Sequence, residues 1–395
     1  MDTKNIKKLQ KLKEQIERST QDKNGLVLAQ DLAQDIIAAF RNGVAPNIGL
    51  LSISVGRKNL FKDINVQLNE VERGKSKLKF INGAYGSGKT HTLMVLREFA
   101  FKNNFASSYI TLSPRECPLF DLGIVYRHIV KGLRTAKCRE KPALETIIQD
   151  WINRLLTLGQ SNFDYAINKI KTLDPDFKSV LICLIESFNK GSWNTADAAI
   201  RWIQGDINTK RECKPLGASS YVCDETSLMM LQNIIFMLRL IGFKGLIILL
   251  DEAENIPSIS NLGKKKKAYE NLWRLINCNL ETSHSFFVYA TTPRFFNEMK
   301  GEERYNIVEK KITKLQPLSV ESLKSLALKI RDLYIKAHGW SNYRRVSDEK
   351  VIKYCEKLVR HHGFPILARD FVRSMVASLD VCQQNSSVNL LQTIN

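Results

Sequence analysis

The chain has 395 residues, 59 Lys and Arg against 40 Asp and Glu, and a formal net charge of +19. That length allows two or three domains with real cores, and 44% hydrophobic with 25% charged residues is ordinary for a globular protein. No apolar run is long enough to span a bilayer, no signal core follows the lysine-rich start, and the eight cysteines contain no C-x-x-C pair. Membrane, secreted and zinc-ribbon classes are therefore set aside, and a cytoplasmic protein with reduced thiols is expected. The positive excess points to nucleic acid, DNA first, as a partner. A basic protein kept soluble by its charge is the competing explanation.

In chain order, residues 4–24 are a polar, lysine-rich stretch that reads as a helix or a loose arm. Leu26, Leu28, Leu32, Ile36, Ile37 and Phe40 then follow helical spacing up to the stop signal Asn42-Gly43-Val44-Ala45-Pro46. After the run Leu50-Leu51-Ser52-Ile53-Ser54-Val55-Gly56-Arg57, Lys77–Asn82 reads as a strand and His91–Phe99 as a buried helix. Ser107–Ser113 is a second strand. Residues 120–243 are mainly helical, with a loop-rich stretch at 203–227, and are too many for a minimal core. Gly245–Leu250 is a continuous apolar strand tipped by Asp251-Glu252, and Ser285–Ala290 is a third, ending in Thr291-Thr292-Pro293. A final strand is expected at 312–319. Three helices at 320–338, 347–361 and 364–380 follow it, then a frayed polar tail at 383–395.

The chemistry concentrates between the first strand and first helix. Gly83, Ala84, Tyr85, Gly86, Ser87, Gly88, Lys89 and Thr90 fit G-x-x-x-x-G-K-[ST], the P-loop. Its glycines let backbone N–H groups curl around phosphate oxygens. Lys89 reaches the β- and γ-phosphates, Thr90 binds Mg²⁺, and the helix start, His91 included, adds its positive dipole end. Asp251 at the acidic strand tip would share the Mg²⁺ shell, and Glu252 would orient and polarise the attacking water. ATP, Mg²⁺ and ATP hydrolysis are the resulting expectations. Lys264, Lys265, Lys266 and Lys267 cannot all face a core. They read either as a solvated helix start or as a segment following a phosphate backbone.

With these motifs in place the chain resembles AAA+ ATPases of the initiator clade, and more narrowly the ATP-binding protein of BREX-type phage-defence systems. The likeness is carried by Asn47–Leu50 through Val55-Gly56-Arg57, Phe80–Thr90, Leu249–Glu254, Thr292–Phe296 and Ala368–Arg373, together spanning residues 47–375. Two positions depart from the pattern: Ala253 is small where a bulkier residue precedes the second glutamate, and Arg294 replaces an acid.

The resemblance implies an α/β fold, an AAA+ P-loop domain with a five-stranded parallel sheet and a helical insertion, followed by a C-terminal helical lid. The implied boundaries are 1–45 for the arm, 46–318 for the nucleotide domain with its insertion at 120–243, 319–382 for the lid, and 383–395 for the tail. It also implies that Val55, Gly56 and Arg57 pack on adenine. Thr292 or Thr291 would sense the γ-phosphate, Arg369 (with Arg373 in reserve) would reach back to the phosphates, and Arg304 (or Arg294) would act on a neighbouring subunit's nucleotide. A homo-oligomeric accessory subunit of a multi-gene defence or DNA-modification system follows, with no membrane role. A protein-recruiting switch that does not touch DNA, and a transposition or helicase-loading ATPase, are the alternatives.

Overall fold

The computed structural model describes residues 30–46, 49–158, 165–166, 168–169, 173–300, 305–340, 343–363 and 365–394. They divide into two compact units. One comprises residues 55–319 together with 365–370. The other gathers the segment ending at Ser54 with residues 320–364 and 371–395.

The first unit is built on one sheet of β1 (Lys77–Asn82), β2 (Ala106–Thr111), β3 (Leu133–Arg134), β4 (Leu246–Asp251), β5 (Ser285–Thr291) and β6 (Ile312–Lys314), in the order β3-β2-β4-β5-β1-β6. Five of these strands are mutually parallel, as expected. The sixth, β3, is a two-residue antiparallel addition to the β2 edge, pairing Ser107 with Arg134. No two-residue strand carries a periodicity to read, which is why it was not anticipated. The last parallel strand stops at Lys314 rather than running to residue 319. Pro317 offers no N–H to continue a ladder.

Parallel strands need both faces covered, and the sequence supplies that. On one face α2 (Lys58–Glu72) and α3 (Lys89–Lys102) set Ile64, Leu68, Val71, Leu93 and Leu96 against Ile81, Ile247, Leu249, Phe286 and Val288. Phe80, Ile248, Leu250, Phe287 and Tyr289 point to the other face and join a larger core. That core takes in the insertion helices α4 (Leu122–Lys131), α5 (Leu144–Leu158), α6 (Pro175–Lys190), α7 (Trp193–Gln204) and α8 (Ser227–Ile241). It also takes in α9 (Leu262–Glu281), α10 (Pro293–Met299) and the short α11 (Tyr305–Glu309). The starts are chemically marked. Asp121 accepts from the Ile124 N–H at 3.0 Å, Asp174 caps α6 with Pro175 in its first turn, and Asn261 accepts from the Lys264 N–H at 2.9 Å.

The register aligns the strand ends that matter. Asn82 pairs with Thr291, and Thr111 with Asp251, so the residues just after β1, β4 and β5 share the carboxyl edge of the sheet. Crevices at that edge are where open α/β sheets bind ligands.

In the second unit α1 (Gln30–Arg41) lies on α12 (Val320–His338), burying Ala33, Ile36, Ile37 and Phe40. Gln34 donates to the Ala337 carbonyl at 2.9 Å, and Arg41 holds Asp380 through two bonds of 2.8 and 2.9 Å. The helix read as part of a separate arm is thus grouped with the C-terminal helices; the arm's residues 1–29 lie outside the described residues. α13 (Asp348–His362) and α14 (Ala368–Gln384) complete the helical C-terminal region. The last helix begins at Ala368, not 364, because Pro365 and the two residues after it run non-helical. The expected frayed tail is packed instead. Leu390 is fully buried in a 3₁₀ turn closed by an Asn389–Gln392 capping box, and Lys357 donates to the Ile394 carbonyl at 2.6 Å.

Candidate nucleotide-binding site

The loop between β1 and α3 turns where the motif requires it. Gly86 and Gly88 hold φ of +80° and +93°, a region costly for side chains with a Cβ, and a Cβ on Gly83 would collide with the Ser87 hydroxyl. Lys89 opens α3 and is 6% exposed. Its ammonium donates to the Gly83 carbonyl at 3.2 Å and faces Glu254 Oε1 at 3.3 Å. Thr90, next on the helix, donates its hydroxyl to Asp251 Oδ2 at 2.7 Å. Asp251 Oδ1 accepts from the Glu252 N–H at 3.0 Å.

Glu252 stands at φ +60°, ψ 33°, a left-handed conformation unusual for a residue with a long side chain. Burial, then the Glu254 and Asp251 charges beside it, push its carboxyl above the ordinary range, while the Lys89 and Arg369 charges pull the other way. Such strained positions cluster at functional sites.

The two threonines at the end of β5 differ. Thr291 is fully buried, its carbonyl accepts from the Gly83 N–H at 3.1 Å, and its hydroxyl has no protein partner. Thr292 is partly exposed and begins α10. Arg369 lies at the loop: its N–H donates to the Gly86 carbonyl at 3.3 Å and its guanidinium sits 4.4 Å above the ring of Tyr85. That ring is 64% exposed.

Ahead of the loop, Gly56 has φ +68° and Arg57 flanks α2. Burial lowers the Arg57 pKa, and burial with the Arg57 charge pushes the His91 imidazole down to about 4, so His91 is neutral near pH 7.

The remaining expected residues fall elsewhere. Arg304 lies outside the described residues; Arg294 is exposed on α10. The lysine run occupies the first turns of α9, where each lysine has a local contact. Lys264 lies 4.9 Å over the Phe120 ring, Lys265 donates to the Pro257 carbonyl, Lys266 faces Glu270 at 4.0 Å, and Lys267 faces Asp224 at 3.5 Å.

Three site residues were not singled out from sequence. Tyr109, on β2, donates its phenol to Asp251 Oδ2 at 3.0 Å, so one oxygen serves both Tyr109 and Thr90. Glu254 is the ion-pair partner of Lys89, and Asn82 ends β1 with a buried, unpartnered Oδ1. No signal within β2 marked Tyr109, because the β2–β4 register decides which carboxylate its phenol meets.

These atoms fit a polyphosphate. Among the described residues eight buried side-chain oxygens or nitrogens lack partners, and four of them belong to Asn82, Ser87, Glu254 and Thr291, around this loop. Thr90 and Asp251 supply hard oxygen donors suited to Mg²⁺, which takes few protein ligands and completes its shell with phosphates and water. No group of three or more His, Cys, Asp or Glu side chains poised for a metal occurs among the described residues.

The family model described as "BREX system ATP-binding protein BrxC/D" matches residues 28–395. The chain belongs to that family. Its members are ATP-binding proteins of BREX systems, and the fold is an α/β architecture whose mostly parallel sheet carries the P-loop sequence after its first strand, with a helical C-terminal region. None of the curated proteins compared matches it. It is similar to the solved structure of the ORC2 protein of Aeropyrum pernix in ADPNP–ADP complexes, at 14% identity over 84% of this chain and 69% of that one, TM-score 0.38. It is also similar to domain III of the replication initiation protein DnaA of Thermotoga maritima, at 15% identity over 87% and 93%, TM-score 0.39. No helix among the described residues is long and apolar enough to cross a membrane.

Proposed function

We propose that this chain hydrolyses ATP with Mg²⁺ as an oligomeric, DNA-binding accessory subunit of its BREX system, and that its nucleotide state regulates partner enzymes. The observation that carries the hydrolytic reading is the 2.7 Å bond from Thr90 to Asp251, with the Glu252 carboxyl next in chain and Lys89 one residue before. In this reading the loop N–H groups and Lys89 hold the phosphates, while Thr90 and Asp251 hold the ion. Mg²⁺ would neutralise charge developing on the β- and γ-oxygens. Glu252, its basicity raised by burial and its acidic neighbours, accepts a hydrogen bond from the attacking water and orients it. The Thr291 hydroxyl, lacking a protein partner, is the sensor suited to the same water or the γ-phosphate. Arg369, released from Tyr85, adds a positive charge near the phosphates.

DNA binding rests on the +19 net charge. The local contacts of Lys264 to Lys267 favour a second reading, in which that run serves the fold and the ATP-bound state recruits proteins without DNA. ATP turnover measured with and without single- and double-stranded DNA across a salt series separates the two. Stimulation that fades with salt supports the first; turnover indifferent to DNA, with none retained at low salt, supports the second. No turnover at all overturns the hydrolytic reading.

A further inference from the structure

Lys89 carries a positive charge at 6% exposure, in a setting where an unpaired ammonium is costly. Its only charged partner within ion-pair distance among the described residues is Glu254, 3.3 Å away and itself 13% exposed; the Gly83 carbonyl completes the contact. Glu254 is delivered by a fixed turn rather than a loose side chain. Ala253 and Ile256 beside it are buried, the Asn255 N–H returns to the Glu252 carbonyl at 3.0 Å, and the Asn255 side chain donates to the Leu112 carbonyl at 2.9 Å. The second carboxylate oxygen of Glu254 is buried without any partner.

The Glu254 carboxylate thus holds the Lys89 ammonium at the ion-pair distance at which a phosphate oxygen would also hold it. We propose that Glu254 is a built-in phosphate surrogate: it neutralises Lys89 in the empty loop, competes with incoming phosphate, and so sets nucleotide affinity and hastens ADP release. This rests on the P-loop reading above. When phosphate takes over Lys89, Glu254 loses its counter-ion while Asp251, Glu252 and the polyphosphate crowd it with negative charge. That repulsion weakens bound nucleotide and drives the loop back to its closed pairing once product leaves. Glu254 is thus a positioning residue acting through Lys89.

The test is the Kd of a fluorescent ATP and ADP analogue, with the ADP dissociation rate, for wild type, Glu254→Gln and Glu254→Asp, each also in a Lys89→Met background. Loss of the charge should tighten both nucleotides about tenfold and slow ADP release to match. Glu254→Asp, its carboxylate withdrawn by one methylene, should shift Kd the same way by a few-fold. In the Lys89→Met background Glu254→Gln should move Kd by less than about twofold, an outcome that a merely structural role would not produce. An unchanged or weakened affinity in a Glu254→Gln protein with a normal melting curve overturns the inference. Should that variant fail to fold, an unshifted Kd in Glu254→Asp overturns it instead. Wild type that binds neither nucleotide would overturn the P-loop reading itself, which is a different failure.

Discussion

Two groups of carboxylates in the same unit are handled in opposite ways. In the insertion, Asp176 accepts from the backbone N–H groups and hydroxyls of both Ser219 and Ser220. Asp224 accepts from the Leu122 N–H at 2.7 Å and from Arg274 at 3.2 Å, with Lys267 at 3.5 Å. At the carboxyl edge of the sheet, Asp251, Glu252 and Glu254 crowd one another, Glu254 keeps an oxygen unpartnered, and Glu252 sits in a left-handed backbone. The first arrangement is complete in the protein alone and spends its charges on the fold. The second leaves buried polar atoms without a partner in the protein, as the proposed site for a cation and phosphates requires.

The comparison breaks first at Lys89. Lys89→Ala should weaken ATP binding about 100-fold, by titration calorimetry. Glu252→Gln should retain ATP and lower turnover about 100-fold; turnover at the wild-type rate would remove Glu252 as the residue that orients water. Asp224→Asn should do the reverse, costing about 2–3 kcal/mol in urea unfolding at pH 7 with nucleotide affinity unchanged.

That cost is pH-dependent with a definite sign. Hydrogen bonds and the Lys267 and Arg274 charges hold the Asp224 pKa below its ordinary 3.8 despite the opposing effect of burial. Its contribution is therefore fully present above 3.8 and is lost as the pH falls through the lower, folded-state value, so wild type and Asp224→Asn should converge in acid. The smallest effect is Thr291→Val. With no bond to lose, stability should change by less than about 0.5 kcal/mol, whereas kcat should fall about tenfold if the hydroxyl serves the γ-phosphate.

Much of the sheet and the primary motif was legible because both are local. Gly83 to Thr90 and the apolar run ending in Asp251 are contiguous, and a P-loop demands a strand before it and a helix after it. Tyr109 and Glu254 were not legible as site residues because their contacts join segments far apart in sequence, β2 to β4 and the turn after β4 to α3. The β2–β4 register of Thr111 with Asp251 brings the Tyr109 phenol to that carboxylate, and no periodicity in β2 alone reveals the register. The grouping of α1 with the C-terminal helices was hidden for the same reason, since its contacts with Ala337 and Asp380 join residues some 300 apart. Arg369 could be chosen because the start of the final helix carries a short recognisable block.

The left-handed backbone at Glu252 bears on how the protein would change under selection. Glycine adopts that conformation without steric cost, and removing the carboxylate would also relieve repulsion from Asp251 and Glu254. Selection for heat resistance alone would therefore favour glycine at position 252, which on the proposed function gives a sturdier protein without turnover. On that proposal selection for the reaction would keep the glutamate, and this position would separate working copies of the protein from retired ones.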